Sequence, residues 1–237
     1  MRLKSLMMLF FFMLSVNSCR MNGTYQVGGM STEPVPEDQR ESIINRMDIT
    51  IFFEEPARTG ICCLSVDASG RIAIGNSDGS RKTIRIYNNE MTFLYALAFR
   101  GEGSFSILLT EEITWIIFSR SDMCVGVSST GTVTDVLNIQ HTFENTSILN
   151  HIFINEPIEV NGNIYELRNL KSVLNLTGEY SQAVVSYANG GHKVLYDAEN
   201  ILFQRQSAII VAICFLFVVI MICVCYRRTE SNENGTD

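Results

Sequence analysis

Residues Ile61 to Phe105 read ICCLSVDASGRIAIGNSDGSRKTIRIYNNEMTFLYALAFRGEGSF. Short apolar runs alternate here with turn residues. Ile61 to Val66, Arg71 to Ile74, Thr83 to Tyr87 and Thr92 to Phe99 are predicted strands, separated by Asp-Ala-Ser-Gly, Asp-Gly-Ser and Asn-Asn-Glu turns. The pattern extends in both directions. Ile49 to Phe53 precedes it, and Ser104 to Leu109, Ile113 to Phe118, Met123 to Val127 and Thr132 to Leu137 follow. Breaks every eight to twelve residues are the spacing of an antiparallel meander, and no helical period of useful length competes with it. Gly70, Gly131 and Gly191 each end a polar turn between apolar strands, at intervals of about sixty residues, which hints at an internal repeat.

Further along, Thr142 to Pro157 reads as a long loop with a strand at Ile152 to Ile154. Ile158 to Arg168 is a hairpin around Asn161-Gly162, Leu170 to Gly178 a helical turn or a loop, and Ala183 to Tyr196 a hairpin around Gly190-Gly191. Upstream, residues 19–41 hold Gly, Ser, Thr, Pro and acids with no apolar period and read as a linker, so the β-rich domain is expected over 42–206.

Both ends of the chain are apolar. Ser207 to Tyr226 (SAIIVAICFLFVVIMICVCY) contains no charge, Pro, Asn, Gln or Gly. As a helix it is about 30 Å long, the thickness of a bilayer core. Arg227 and Arg228 follow it directly and Arg205 alone flanks the other side closely, so the positive-inside rule puts the C-terminus in the cytoplasm. Residues 227–237 are a polar acidic tail, expected to be disordered. Residues 1–18 read as a signal peptide, with Arg2 and Lys4 before the apolar run Leu6 to Leu14. Cys19 is the candidate point of signal cleavage or lipidation. Val16-Asn17-Ser18-Cys19 approaches a bacterial lipobox, from which Asn17 departs. A cleaved leader agrees with a type I single-pass topology: N-terminus outside, C-terminus cytoplasmic.

Of seven cysteines, only Cys62, Cys63 and Cys124 lie in the middle of the chain. Neighbours such as Cys62 and Cys63 point to opposite faces of a regular strand, so the expectation is buried thiols rather than a disulfide framework. A single bridge from Cys124 to one of them stays open. Net charge is −7, which argues against nucleic acid as a partner.

Candidate chemistry is sparse. His141, His151 and His192 have no metal-ligand spacing, and Asp67, Asn76 and Asp78 lack that of a calcium loop. Glu54-Glu55 and Glu111-Glu112 alternate faces on a strand, so neither is an acid/base couple by itself, although carboxylates from distant strands could still meet. Trp115 sits in an apolar run and reads as core, with a ligand-stacking platform as the sharper alternative. The sequons Asn22-Gly23-Thr24 and Asn145-Thr146-Ser147 matter only in a eukaryotic secretory host. No catalytic residue, metal site or cofactor is expected.

The block Ile61 to Phe105 resembles a β-propeller blade of the NHL or WD kind. Val66-Asp67 and Gly70 match the first hairpin, Ile72-Ala73-Ile74 an inner strand, Ile84-Arg85-Ile86-Tyr87-Asn88 the I-x-[VI]-[WFY]-[DN] strand, and Gly101-Glu102-Gly103-Ser104-Phe105 the exit. The layout of leader, β repeats and one C-terminal span is similar to that of bacterial membrane-anchored β-rich proteins, a group that lends no activity. The resemblance implies blade-like sheets, but a closed ring takes at least four blades and this chain has room for about three. The expected fold is an all-β extracytoplasmic domain, as a blade-like antiparallel meander, partial propeller or sandwich, plus one C-terminal transmembrane helix. The expected function is a non-catalytic binding or assembly module held in membrane lipid by its helix, with an envelope protein or a second copy as partner. A subunit recruited to a membrane complex through its helix, and a cell-envelope hydrolase with a site built from distant strands, are the alternatives.

Overall fold

The computed structural model describes residues 25–169 and 178–233, with side chains as far as Cys223. The leader at 1–18, Cys19 and most of Leu170 to Gly178 lie outside the described residues.

Three antiparallel sheets are built from three consecutive four-stranded meanders. The first comprises β4 (Ile61–Val66), β5 (Ile72–Asp78), β6 (Arg81–Tyr87) and β7 (Phe93–Arg100), with the short β3 (Thr50–Phe52) added beside β7. The second comprises β8 (Phe105–Leu109), β9 (Ile113–Phe118), β10 (Met123–Ser128) and β11 (Val133–Ile139). The third comprises β12 (Ile158–Val160), β13 (Asn163–Arg168), β14 (Gln182–Ser186) and β15 (His192–Asp197). The opening strands meet: β4 packs against β8 on one side and β12 on the other. The result is an open, curled stack with the first meander in the middle.

Alternation along each strand fills two cores at once. Ala73, Ile84, Ile86 and Leu97 point from the first sheet to Phe105, Ile107, Ile116 and Val125 of the second. Ile72, Ile74 and Tyr87 point the other way, to Tyr165, Ala183, Val185 and Tyr196 of the third. Trp115 is buried on the outer face of the second sheet with Ile117, Cys124 and Leu137. That is the core position expected for it.

Two helices and two strands depart from the sequence expectations. Residues 25–34, read as linker, form β1 (Tyr25–Val27) and β2 (Met30–Pro34), and β2 pairs with β11. β1 is the edge of that sheet and β2 lies inside it, with Met30 and Thr32 as its buried face and polar side chains on the other. Helix α1 (Glu37–Met47) follows, with Glu37 and Asp38 in its first turn and Arg46 in its last. Its Ile43, Ile44 and Met47 cover the first core. Thr142 to Pro157 is helix α2 (Phe143–Ile154), not a loop with a strand. Thr142 Oγ1 accepts from the Asn145 amide at 3.1 Å, and Ile148, Leu149, Ile152 and Phe153 pack on the Trp115 cluster.

Four hairpin turns share one geometry: 67–71, 88–92, 128–132 and 187–191. In each, the fourth residue is left-handed: Gly70, Met91, Gly131 and Gly190 have φ of +83, +68, +82 and +86°. The third repeat glycine is therefore Gly190, one residue before the expected Gly191. Asp67, Asn88 and Ser128 each accept from backbone amides two and four residues on, as Asx- and ST-turns do. By strand direction all four turns lie at one end of the stack. The turns at 79–80, 101–104 and 119–122 lie at the other.

That second end carries α3 (Glu199–Glu233), which contains the expected span 207–226. A stem and a disordered tail were expected on either side of it. The helix instead starts at Glu199 and its backbone continues to Glu233. Glu199 to Cys223 is apolar and long enough to cross a membrane, and Val211, Phe215, Phe217 and Ile222 are exposed to the surroundings that lipid would fill.

Candidate functional site

The most elaborate polar arrangement sits where the first and third sheets meet, above the start of α3. Arg85, in the middle of β6, is almost fully buried and faces the third sheet with Tyr87. Its guanidinium donates to Asn76 Oδ1 and to the Ala57 carbonyl, and lies 5.8 Å from the Tyr196 ring centre. Arg58 stands 5.0 Å from the same ring. A buried cation is tolerated only where hydrogen bonds and π-faces replace water. Here they come from a carbonyl, an amide and an aromatic ring, and Arg85 Nε has no hydrogen-bond partner.

The same side chains fasten the loop 53–60. Asn76 Nδ2 donates to the Thr59 and Gly60 carbonyls at 3.0 and 2.7 Å. The Tyr196 hydroxyl accepts from the Thr59 amide at 3.0 Å and lies 3.1 Å from its carbonyl. Tyr87 donates to Glu55 Oε1 at 2.8 Å. Burial, then Glu55, raises the Tyr87 hydroxyl above its ordinary range, and burial raises Tyr196 against the opposing pull of Arg85. Both phenols therefore stay protonated donors at neutral pH. The cluster is suited to clamping a loop, not to abstracting protons.

Beside it, α3 docks on the domain. Asp197 Oδ1 accepts from the Glu199 amide at 2.8 Å, and the Ala198 amide donates to the Ser181 carbonyl at 2.9 Å. Ala198, Leu202 and Gln206 form a buried stripe at four-residue spacing. Arg205 reaches Asp78 at 3.5 Å and Glu179 at 3.7 Å. Gly60 makes room for Glu179, since a Cβ on it would stand 2.8 Å from the Glu179 Cβ. The contacts of the domain thus run to the edge of the expected span at Ser207.

The other sequence candidates are dispersed. His141 lies 3.5 Å from Asp122 and His151 3.0 Å from Glu156, all exposed or nearly so, and His192 is exposed on β15. Asp67 bonds its own turn and the Arg71 side chain, as expected of a turn residue. Asn76 is instead a buried strand residue of the Arg85 cluster, and Asp78 holds Arg205. Glu55 pairs with Arg58 and Tyr87. Among the described residues no group of three His, Cys, Asp or Glu side chains is placed to hold a metal ion. Asn145, in a sequon, is buried, and its side chain is taken up by the Ser31 amide and carbonyl and the Gln140 carbonyl.

The cysteines correct the expectation most sharply. Cys124 faces α2 from the outer side of the second sheet, so no bridge joins it to Cys62 or Cys63 in the inner core. Cys62 and Cys63 do not face apart: a bulge in β4 brings their Sγ atoms to 3.8 Å. The Arg85 cluster was also missed. Its local signal is an arginine set within the apolar run Ile84, Ile86 and Tyr87, at an inward-facing position of β6.

No family model matches the chain, and no curated protein matches it either.

Proposed function

We propose that the protein is a non-catalytic binding or assembly module, displayed outside the cytoplasm and held at the membrane by one helix, with its C-terminus inside. The observation that supports this is the junction. Buried Ala198, Leu202 and Gln206 and the Arg205 pairs make the first two turns of α3 part of the β domain, so the sheets stand at fixed height on the span. Fixed height suits display of the opposite end, where the four similar turns and the Asn161 turn are gathered. Asn161 Nδ2 donates to the Ala68 carbonyl at 3.3 Å there, and Arg71 reaches the Thr110 and Glu111 carbonyls at 2.8 and 2.7 Å. These bonds tie the 67–71 turn to its neighbours at 110–111 and 161, and loops held in place bind at lower entropic cost.

The three meanders also favour kinship with propeller blades. Ring completion by further copies is opposed by α2, which covers the outer face of the second sheet. An envelope protein at the end that carries these turns is therefore the favoured partner over a second copy.

The test is crosslinking on intact cells through a tag in the β domain, with the wild-type chain and one whose residues 210–223 are replaced by an unrelated apolar helix. Recovery of the same envelope protein, in stoichiometric yield, from both chains supports the module. Loss with the replaced helix transfers the contact to the span, as in a membrane-complex subunit. Recovery of no protein from either chain overturns both readings.

A further inference from the structure

Cys62 and Cys63 occupy a site built for two neighbouring sulfur atoms. In a regular strand consecutive side chains leave on opposite faces. In β4, Ile61 pairs with Asn76 and Cys63 with Gly75, so Cys62 is an extra residue in a bulge. The bulge turns both thiols toward the core between the first and second sheets, with Sγ atoms 3.8 Å apart. Two further features hold this arrangement. The Cys62 carbonyl accepts from Asn155 Nδ2 at 3.1 Å, and Asn155 is the left-handed residue that ends α2. Opposite Cys63 stands Gly75, where a Cβ would lie 2.3 Å from the Cys63 sulfur. A glycine there leaves the thiol its space.

We propose that Cys62 and Cys63 form a vicinal dithiol that closes to a disulfide by exchange with an external disulfide. That it does so in the cell rests on the extracytoplasmic placement proposed above, because disulfides persist outside the reducing cytosol. Cys62 is the partly exposed member and Cys63 the buried one, whose thiol burial holds well above its ordinary pKa. The order of events follows. The Cys62 thiolate attacks one sulfur of the external disulfide RSSR, forming a mixed disulfide and expelling RS⁻. Cys63 gives up its proton, its sulfur attacks Cys62 Sγ, and the second RS⁻ leaves. Two RSH are released, and the two cysteines have lost two electrons and two protons. Closure needs the sulfurs to approach from 3.8 Å to about 2.0 Å, a movement within reach of side-chain rotation. Adjacent Cα atoms are about 3.8 Å apart, below the usual disulfide span, so the ring is strained and easily reduced. Such bonds are the labile ones that respond to redox conditions. Cys124 does not compete: it lies under α2 on the outer face of the second sheet, its thiol pushed up to about 12 by burial.

The test uses the full-length protein in membranes. Free thiols are alkylated before and after incubation with oxidised glutathione, and the proteolytic peptide Thr59 to Arg71 is weighed. The expected result after glutathione disulfide is a peptide about 2 Da lighter than the dithiol, with no alkyl group, which mild dithiothreitol returns to two alkylated cysteines. In Cys63→Ser the expected result is a mixed disulfide with glutathione trapped on Cys62. A peptide that keeps both thiols, or a Cys63→Ser chain that takes up no glutathione, overturns the ring. Isolation of the untreated protein as a dithiol that then closes with glutathione disulfide keeps the ring and counts against the compartment alone.

Discussion

Arg205, six residues into α3, reaches the carboxylate of Asp78 at 3.5 Å, across 127 positions of sequence. This contact joins the membrane helix to the hairpin end of β5 and β6. It is half-exposed on the arginine side and largely exposed on the aspartate side, so its energy is small beside that of burying Ala198 and Leu202.

The two contributions separate by mutation. Asp78→Ala, which removes only the exposed pair and leaves Arg205 to the buried Glu179, is expected to weaken docking by less than about 1 kcal/mol. Leu202→Ala, at a buried position, is expected to weaken it by about 2–4 kcal/mol. Hydrogen exchange over residues 198–206 of the full chain in detergent reads both, with the larger loss of protection in Leu202→Ala. Equal losses would mean that the ion pairs carry the junction.

Met91 stands where the three sister turns have Gly70, Gly131 and Gly190. A left-handed non-glycine residue costs about 1 kcal/mol. Met91 also packs partly on the core between the first and third sheets, so replacing it removes contacts as well. Comparison of Met91→Gly with Met91→Ala cancels that loss. The glycine variant is expected to be more stable than the alanine variant by about 1 kcal/mol in thermal unfolding. Equal stabilities would show that the turn relaxes at no cost.

Asn145 ties the start of α2 to β2 through three hydrogen bonds. Asn145→Ala leaves the Ser31 amide and two carbonyls without that partner and is expected to cost about 2 kcal/mol. Because the side chain is buried in these bonds, mass analysis of folded protein from a glycosylating host is expected to find Asn145 bare.

Most strands were legible because period-2 alternation and turn chemistry agree along them. Ile61–Val66 and Ile113–Phe118 fall on the expected residues, and β6, β7, β8, β10 and β11 differ by one or two at their ends. What was hidden is physical too. In α2, four apolar residues at 148, 149, 152 and 153 have helical spacing, but Asn145 and Ser147 before them and Asn150 between them favour caps and turns in isolation. The cap at Thr142 and packing on the Trp115 cluster decide for helix. β1 and β2 have few apolar residues; β2 exists by pairing with β11, a contact more than 100 positions away, and β1 by pairing with β2. A regular strand turns neighbours such as Cys62 and Cys63 apart, and the bulge in β4 brings them to one side instead. The Arg85 cluster draws on residues from 55 to 196, so no local window contains it.

The proposed placement of the β domain outside the cytoplasm carries the functional reading. It is tested on intact cells with a membrane-impermeant maleimide and two full-length variants, Ser129→Cys at an exposed turn tip and Ser231→Cys beyond the span. The expected result is labelling at 129 without permeabilisation and at 231 only after it. Labelling at 231 on intact cells, with 129 protected, would contradict the orientation and with it the proposed role at the cell surface.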